Sequence, residues 1–300
     1  MTVRYDITHT TLYRYREPVS FGEHRVMFRP RDSHDLRVLA TDLVCSPEAR
    51  IRLIQDPHSN SIALLTPQVQ ASELKIVCTF TIEHAPGDGS ELALSPSALI
   101  FPFAYAVQER LDLEHYMRPL HDDPDGVLTQ WARQFMRTDG HTGTRELLLE
   151  MNRFIRENFA YVARDEEGTQ TPLQTLKLGS GSCRDFALLM MEAVRSLGMA
   201  ARFVTGYLYD PVLDAAAVPA DGEGATAGAG STHAWVQVYL PGAGWVPFDP
   251  TNNLRAGNVQ LIRVGVARDP QQAAPVSGSW FGPPEAYLGL SATVMVRRVA

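Results

Sequence analysis

Three residues of this chain could together activate a nucleophile: Cys183, His233 and Asp249. Cys183 stands in "GSGSCRDFALLMMEAVRSLG"; His233 and Asp249 stand in "STHAWVQVYLPGAGWVPFDPTNN". A thiol attacks as its thiolate, so the chemistry needs a base to hold the proton and a third group to fix that base's tautomer. Such a set would carry acyl transfer: attack on a carbonyl, a thioester, then release to water or to an amine. Each residue alone has a plainer role. A first-turn Cys is more commonly structural, a His at a strand start is commonly a satisfied strand residue, and Asp in "DPTNN" is commonly a turn former. In the order Cys, His, Asp, after a Gly-rich helix start, the three together favour catalysis.

The elements that must position them can be read locally. Cys183, Phe186, Ala187, Met190, Val194 and Leu197 share one helix face, and Gly198 ends the helix. Ser182 and Asp185 have the spacing of a capping box. Cys183 therefore falls in the first turn, where unpaired N–H groups and the positive end of the dipole favour a thiolate. Arg184 adds a positive charge, and Gly179, Ser180, Gly181 and Ser182 leave room for a substrate. "GSGSCRD" lacks the Gly-Lys-Ser/Thr ending of a phosphate loop.

"THAWVQVYL" and "GWVPFDPT" read as two strands joined by "PGAG". With Gly242 and Ala243 as the turn centre, Asp249 falls opposite Val236, one diagonal step from His233. A small bulge or slip would then bring the carboxylate to the imidazole. Trp235 and Trp245 flank this region as packing residues or as walls of an acyl channel. The low-complexity stretch 214–231 just before His233 reads as a lid or as a tolerated insertion.

The remainder of the 300-residue chain bounds the function. It is 45% hydrophobic, which allows a large core, and carries a net charge of −7 without a Lys/Arg cluster. That balance argues against nucleic acid or an anionic membrane as partner. Three widely spaced Cys make no disulfide framework, no apolar run approaches a membrane span, and no signal peptide is visible, so the expected setting is soluble and cytoplasmic. Residues 1–95 alternate as strands, as in "VRYDITHTTLYRY" and "ELKIVCTFTIEH", and "RLIQDPHSNSIALL" reads as a hairpin. A β-sandwich is the expected N-terminal architecture, with Cys45 and Cys78 as core thiols. Residues 96–125 have scattered Pro and no sustained period, and read as a connector. Helical periods follow. Val127, Leu128, Trp131 and Phe135 share one face, and Leu147, Leu148, Met151, Phe154 and Ile155 a second, with Thr144 as N-cap.

"GSCRDFA", "STHAWVQVYLPGAGWVPFDPTNN" and "LYRYREPVSFGEHRVMFRPR" resemble the bacterial transglutaminase-like family, whose members are described as cysteine proteases. The resemblance covers nearly the whole chain. It implies an α+β protein with a β-rich N-terminal domain at 1–95 and a papain-like core at 126–268. It also implies a C-terminal segment at 269–300, ending in a strand from Leu290 to Arg297. The resemblance assigns Cys183 as nucleophile, His233 as base and acid, and Asp249 as orienting carboxylate. The chain departs from the family at Leu188, where His is common, and at "ARDP" 267–270, where Gly-Arg-Asp-Tyr is common. Papain-like enzymes place an oxyanion-binding Gln six residues before the Cys, and Lys177 stands there. The Cys183 backbone N–H is then the first oxyanion donor, with Gln174 a candidate second and Trp235 a candidate substrate contact.

The expected activity is thiol-dependent hydrolysis of a peptide, protein or small amide. Transamidation, or a catalytically silent binding role on the same fold, is the alternative. No cofactor is implied. A metal site fails for want of ligand spacing around the three residues, and "HDDPDG" at 121–126 is too short for an EF-hand calcium loop.

Overall fold

The alternation of Val3, Tyr5 and Ile7 with Arg4, Asp6 and Thr8 builds a 19-residue strand, β1 (Val3–Phe21), buried on one face only. The computed structural model describes residues 2–87, 93–138, 140–164, 168–215 and 230–299. β2 (His24–Val26), β3 (Leu36–Ser46), β4 (Ala49–Gln55), β5 (Ser61–Pro67) and β6 (Ala71–His84) follow. One sheet runs β3-β6-β1, and a second runs β4-β5-β2, all antiparallel. Their facing residues, among them Tyr5, Ile7, Ile62, Leu65, Ile76 and Ile82, share one core. This is the sandwich that period-two patterning demands.

The connector carries β7 (Ile100–Phe101) and a helix that the scattered apolar residues do not announce, α1 (Val107–Met117). Val107 and Leu111 are exposed and only Leu113 is buried, so α1 has almost no apolar stripe to read. After α2 (Val127–Arg133) and β8 (Thr142–Gly143), α3 (Thr144–Asn158) buries Leu147, Leu148, Met151 and Ile155. Gly143 is its N-cap rather than Thr144; Thr144 is already helical, and its N–H donates to the Leu99 carbonyl (2.9 Å). β9 (Ala160–Tyr161), α4 (Pro172–Leu178) and β10 (Ser180–Gly181) lead into α5 (Cys183–Ser196).

The core sheet is built from β11 (Ala201–Leu208), β12 (Thr232–Leu240), β13 (Gly244–Asp249), β14 (Leu254–Arg255) and β15 (Leu261–Ala267), in the order β14-β13-β12-β11-β15. A short helix, α6 (Pro211–Ala215), follows β11. Helix α5, buried from Phe186 to Arg195, packs on β11 and β12. A layer of helix on antiparallel sheet results, and the fold is α+β.

The C-terminal segment returns to the sandwich. β16 (Val276–Ser277) pairs with β2, while β17 (Trp280–Phe281) and β18 (Tyr287–Arg298) pair with β1. Polar side chains stitch sandwich to core: Asn60 both donates to the Val266 carbonyl (2.7 Å) and accepts from its N–H (2.9 Å). His9 on β1 meets the Tyr207 hydroxyl of β11 at 2.9 Å and lies 3.7 Å from the Phe28 ring. Among the described residues, no helix is long and apolar enough to cross a membrane.

Burial pushes His9 down to about 3, so it is neutral in the fold. Unfolded His binds its proton below about 6.5. The unfolded chain therefore holds the extra proton between those values, and acid selects against the fold. His9 should cost stability on the order of 1.4 kcal/mol per pH unit as pH falls below about 6. Chemical denaturation of wild type and His9→Gln between about pH 7 and pH 4.5 should show a shallower acid decline in the variant; parallel curves would show that His9 does not carry the effect.

Candidate functional site

Gly179 takes a left-handed conformation (φ 60°) as the C-cap of α4, and its N–H donates to Thr175. The chain then runs through β10, which pairs in parallel with β9: Tyr161 lies opposite Gly181, and the Val162 N–H donates to the Gly181 carbonyl. Two residues later α5 begins, with Ser182 as N-cap and Cys183 as its first residue. The Asp185 carboxylate folds back over this turn. It accepts from the Ser182 N–H (2.8 Å) and hydroxyl (2.9 Å), from the Gln170 N–H (2.7 Å) and from Arg164 Nη1 (2.9 and 3.1 Å). A fully buried carboxylate with that many donors ties the 164–170 segment to the nucleophile turn. Gly181 must lack a side chain because a Cβ there would sit 2.8 Å from the Asp185 Cβ.

His233 and Asp249 come from β12 and β13. The hairpin register pairs Leu240 with Gly244 and Val236 with Phe248, without a bulge. Pro241, Gly242 and Ala243 thus form a three-residue loop, with Gly242 at φ 88°. That differs by half a step from a two-residue turn, and the difference decides the face. One residue beyond the last pair, Asp249 is level with Trp235, on the same pleat face as His233. The diagonal neighbours then meet with no slip, and His233 Nε2 lies 2.9 Å from Asp249 Oδ2. The "DPTNN" turn holds that carboxylate: Oδ1 accepts from the Thr251 N–H (2.9 Å) and Oδ2 from Asn252 Nδ2 (3.1 Å).

His233 and Asp249 are essentially inaccessible, while Cys183 retains 7% exposure. The Nδ1 of His233 has no partner at full hydrogen-bonding geometry, although the Cys183 thiol acts on the ring at close range. Burial would lower the imidazole's pKa, but the Asp249 carboxylate, and then the Cys183 thiol, outweigh it and push His233 up to about 10. The ring is therefore an imidazolium at neutral pH, with one nitrogen on Asp249 and the other on the side left open beside Cys183.

The remaining predicted residues are placed differently. Arg184 turns from the thiol: its guanidinium donates to the Pro270 carbonyl (2.9 Å) and lies over the Phe203 ring. Gln174 is the third residue of α4, and its Oε1 accepts from the Thr171 N–H (2.9 Å), which leaves only Nε2 for other work. Trp235 is 1% exposed and packs with Val204, Leu208, Leu261 and Val266, stacked on the His233 ring. It backs the imidazole from within the core and offers no surface to a substrate. Trp245 lies under the Arg202 guanidinium (4.1 Å), against Tyr116 and Tyr239. Most of the 214–231 stretch lies outside the described residues.

Tyr161 was not legible as a site residue. Burial pushes its phenol up to about 12, and the next causes are the charges of Cys183, Asp185 and Asp249. The phenol thus stands within electrostatic reach of both the nucleophile turn and the His-bound carboxylate. Tyr161 is exposed, as are Val162 and Leu178 on the neighbouring segments. A two-residue parallel bridge carries no sequence period by which it could have been found.

Gly206 lies opposite His233 in the β11–β12 pairing. A Cβ there would meet the Ile262 carbonyl at 2.2 Å and the Trp235 ring at 2.6 Å. Gly206→Ala should destabilise by about 1–3 kcal/mol and tilt the ring that backs His233. Denaturant titration beside Cys183 alkylation rates would show both effects; an unchanged midpoint would contradict this packing account.

Comparison with known proteins fits the architecture. Residues 129–250 match the Transglutaminase-like superfamily, and residues 5–83 match the bacterial transglutaminase-like N-terminal region. The chain has a transglutaminase-like core. An uncharacterized protein of Mycobacterium leprae is 26% identical over 279 residues, 93% of this chain and 94% of the relative. One of Mycobacterium tuberculosis is 27% identical over 292 residues, 92% of this chain and 87% of the relative. A protein-glutamine gamma-glutamyltransferase of Pseudomonas aeruginosa is 26% identical over 216 residues, 68% of this chain but 30% of that protein. The crystal structure of a candidate cysteine protease from Cytophaga hutchinsonii superposes with a TM-score of 0.70 at 18% identity, covering 100% of this chain and 92% of that one. Its likeness is one of fold. The transglutaminase-like core is the segment that carries Cys183, His233 and Asp249.

Proposed function

We propose that the transglutaminase-like core is a thiol-dependent acyl-transfer enzyme, with Cys183 as nucleophile, His233 as base and acid, and Asp249 as orienting carboxylate. One observation carries the reading. A buried imidazole is bound through Nε2 to a carboxylate while Nδ1, beside a first-turn cysteine, has no other partner. In this reading the thiolate attacks a carboxamide or peptide carbonyl, and the oxyanion forms at the helix N-terminus near the Cys183 N–H. His233 gives its proton to the departing amine, leaving a thioester on Cys183. Water, or an amine in its place, gives its proton to His233 as it attacks the thioester, and the acid or the new amide leaves.

Hydrolysis of a peptide, protein or small amide is the reading we favour, since water is the default acceptor. The similarity to a protein-glutamine gamma-glutamyltransferase gives transamidation its specific support. The exposed apolar Tyr161, Val162 and Leu178 suit an acyl group of low polarity.

The test offers the protein a glutamine-bearing polypeptide and a fluorescent primary amine, and follows both release of ammonia or peptide amines and incorporation of label. Release without incorporation identifies a hydrolase, incorporation a transamidase, and either must vanish in Cys183→Ala. Equal traces for wild type and Cys183→Ala on a broad peptide and amide panel would overturn the acyl-transfer reading in favour of a silent binding protein.

A further inference from the structure

The sandwich does not close at one edge. β3 ends the first sheet and β4 ends the second. Leu53 pairs with Ala63 and Ile51 with Leu65, and Ala63 and Leu65 are buried on β5. Ile51 and Leu53 nevertheless remain 41% and 70% exposed. These side chains line a cavity of about 420 Å³ between the sheets, together with Leu43, Val26, Phe28 and Ala63. That size falls within the range of pockets that hold small ligands. Folding has removed most of the sandwich's apolar surface from water and left this stretch wet, a cost that an apolar occupant would recover.

The polar groups in the cavity set the occupant's chemistry. Leu43 pairs with the buried Cys78, so Leu43 and Thr41 face inward; Asp42, opposite Thr79 on the other pleat face, also lines the cavity. Arg29 is the one cation that lines the cavity. Among the described residues it makes no hydrogen bond or ion pair. It is half-buried, and its charge reaches the Cys78 thiol at the cavity floor, as the opposite charge of Asp42 also does. A half-buried guanidinium against an apolar wall, without a partner among the described residues, calls for an anion, and a carboxylate matches its fork.

We propose that this open edge binds a small amphiphilic carboxylate, with its apolar body between β3 and β4 and its carboxylate on Arg29. The site is separate from Cys183, so the proposal stands or falls independently of the acyl-transfer reading.

Isothermal titration of the full chain with decanoate, decanol and decylammonium, each below its micelle concentration, tests it. Cys183→Ala serves as a control for binding at the other thiol. The expected result is saturable one-to-one binding of decanoate in wild type and Cys183→Ala alike. Decanol should bind more weakly and decylammonium weakest. Arg29→Gln should weaken decanoate at least about tenfold and leave decanol unchanged, as loss of a charge-assisted hydrogen bond requires. Leu53→Asp, at an exposed position, should abolish binding of decanoate and decanol without unfolding the chain. Three results would overturn the proposal: no saturable binding, equal affinity for the three probes, or decanoate binding that survives both variants.

Discussion

Asp249→Asn leaves the fold intact and lowers the rate of Cys183 acylation by a factor on the order of 10⁴, the scale seen when a triad loses the group that sets its tautomer. The physical reason is a reversal of sign at His233. Two effects oppose each other there: burial, which lowers the imidazole's pKa, and the Asp249 carboxylate, which raises it further. With Asn in place the charge is gone and burial remains, so His233 stays neutral through neutral pH and can no longer balance a thiolate. Of the two donors that hold the carboxylate, the Thr251 N–H on Oδ1 and Asn252 Nδ2 on Oδ2, the single Asn carbonyl oxygen keeps one. The sign of the wild-type shift also sets the pH dependence. A raised His233 contributes stability in full below its unfolded value of about 6.5, and loses it as pH rises through about 10. The variant should lack that alkaline loss. Single-turnover acylation rates with an activated ester or thioester check the first claim, and denaturation midpoints read against pH check the second. A variant with wild-type rates would remove Asp249 from the mechanism.

Glu192→Ala is expected to destabilise the protein by about 3–5 kcal/mol, the largest effect on stability among these variants. Glu192 and Arg195 are both fully buried on α5 and pair at 2.9 Å. The pair is a junction. Glu192 Oε2 accepts from the N–H groups of Leu120 (2.6 Å) and His121 (3.0 Å), fixing the end of the connector. Arg195 donates to the carbonyls of Tyr116, Ala201 and Arg268, fixing α1, β11 and the segment after β15. Removing the carboxylate strands a buried guanidinium and two backbone donors. Because partners in one network are coupled, Glu192→Ala with Arg195→Ala should cost less than the sum of the singles, by roughly 1–3 kcal/mol. Urea denaturation of the four proteins measures this. Strictly additive losses would mean that the pair does not act as a unit.

The two halves of the site were legible to different depths. The helix start at Cys183 followed from Ser182, Asp185 and the apolar face, all local signals. What locality could not show is that Asp185 also draws in Arg164 and Gln170 from the preceding loop. The hairpin of His233 and Asp249 was legible from alternation and "PGAG", but its face depended on a loop of three residues rather than two. Period-two patterning settles which residues alternate; only the turn geometry settles what lies opposite what. Helix α1 escaped notice because Val107 and Leu111 face solvent. The strands of the sandwich were legible, whereas the gap between β3 and β4 was not. The hairpin "RLIQDPHSNSIALL" was legible, but the exposure of Leu53 within it follows from the ends of two sheets that fail to meet.

The most direct test of the central claim is alkylation of the folded protein by iodoacetamide across about pH 4 to 9, read by peptide mass spectrometry at all three Cys. Burial pushes Cys45 and Cys78 up to about 11, so both should stay silent across the range. A thiolate held by the His233 imidazolium predicts that Cys183 reacts well below about pH 8.5, the ordinary range of a free thiol, and that His233→Ala abolishes that low-pH reactivity. Reaction of Cys183 only near about pH 8.5, equally in wild type and His233→Ala, would contradict the account.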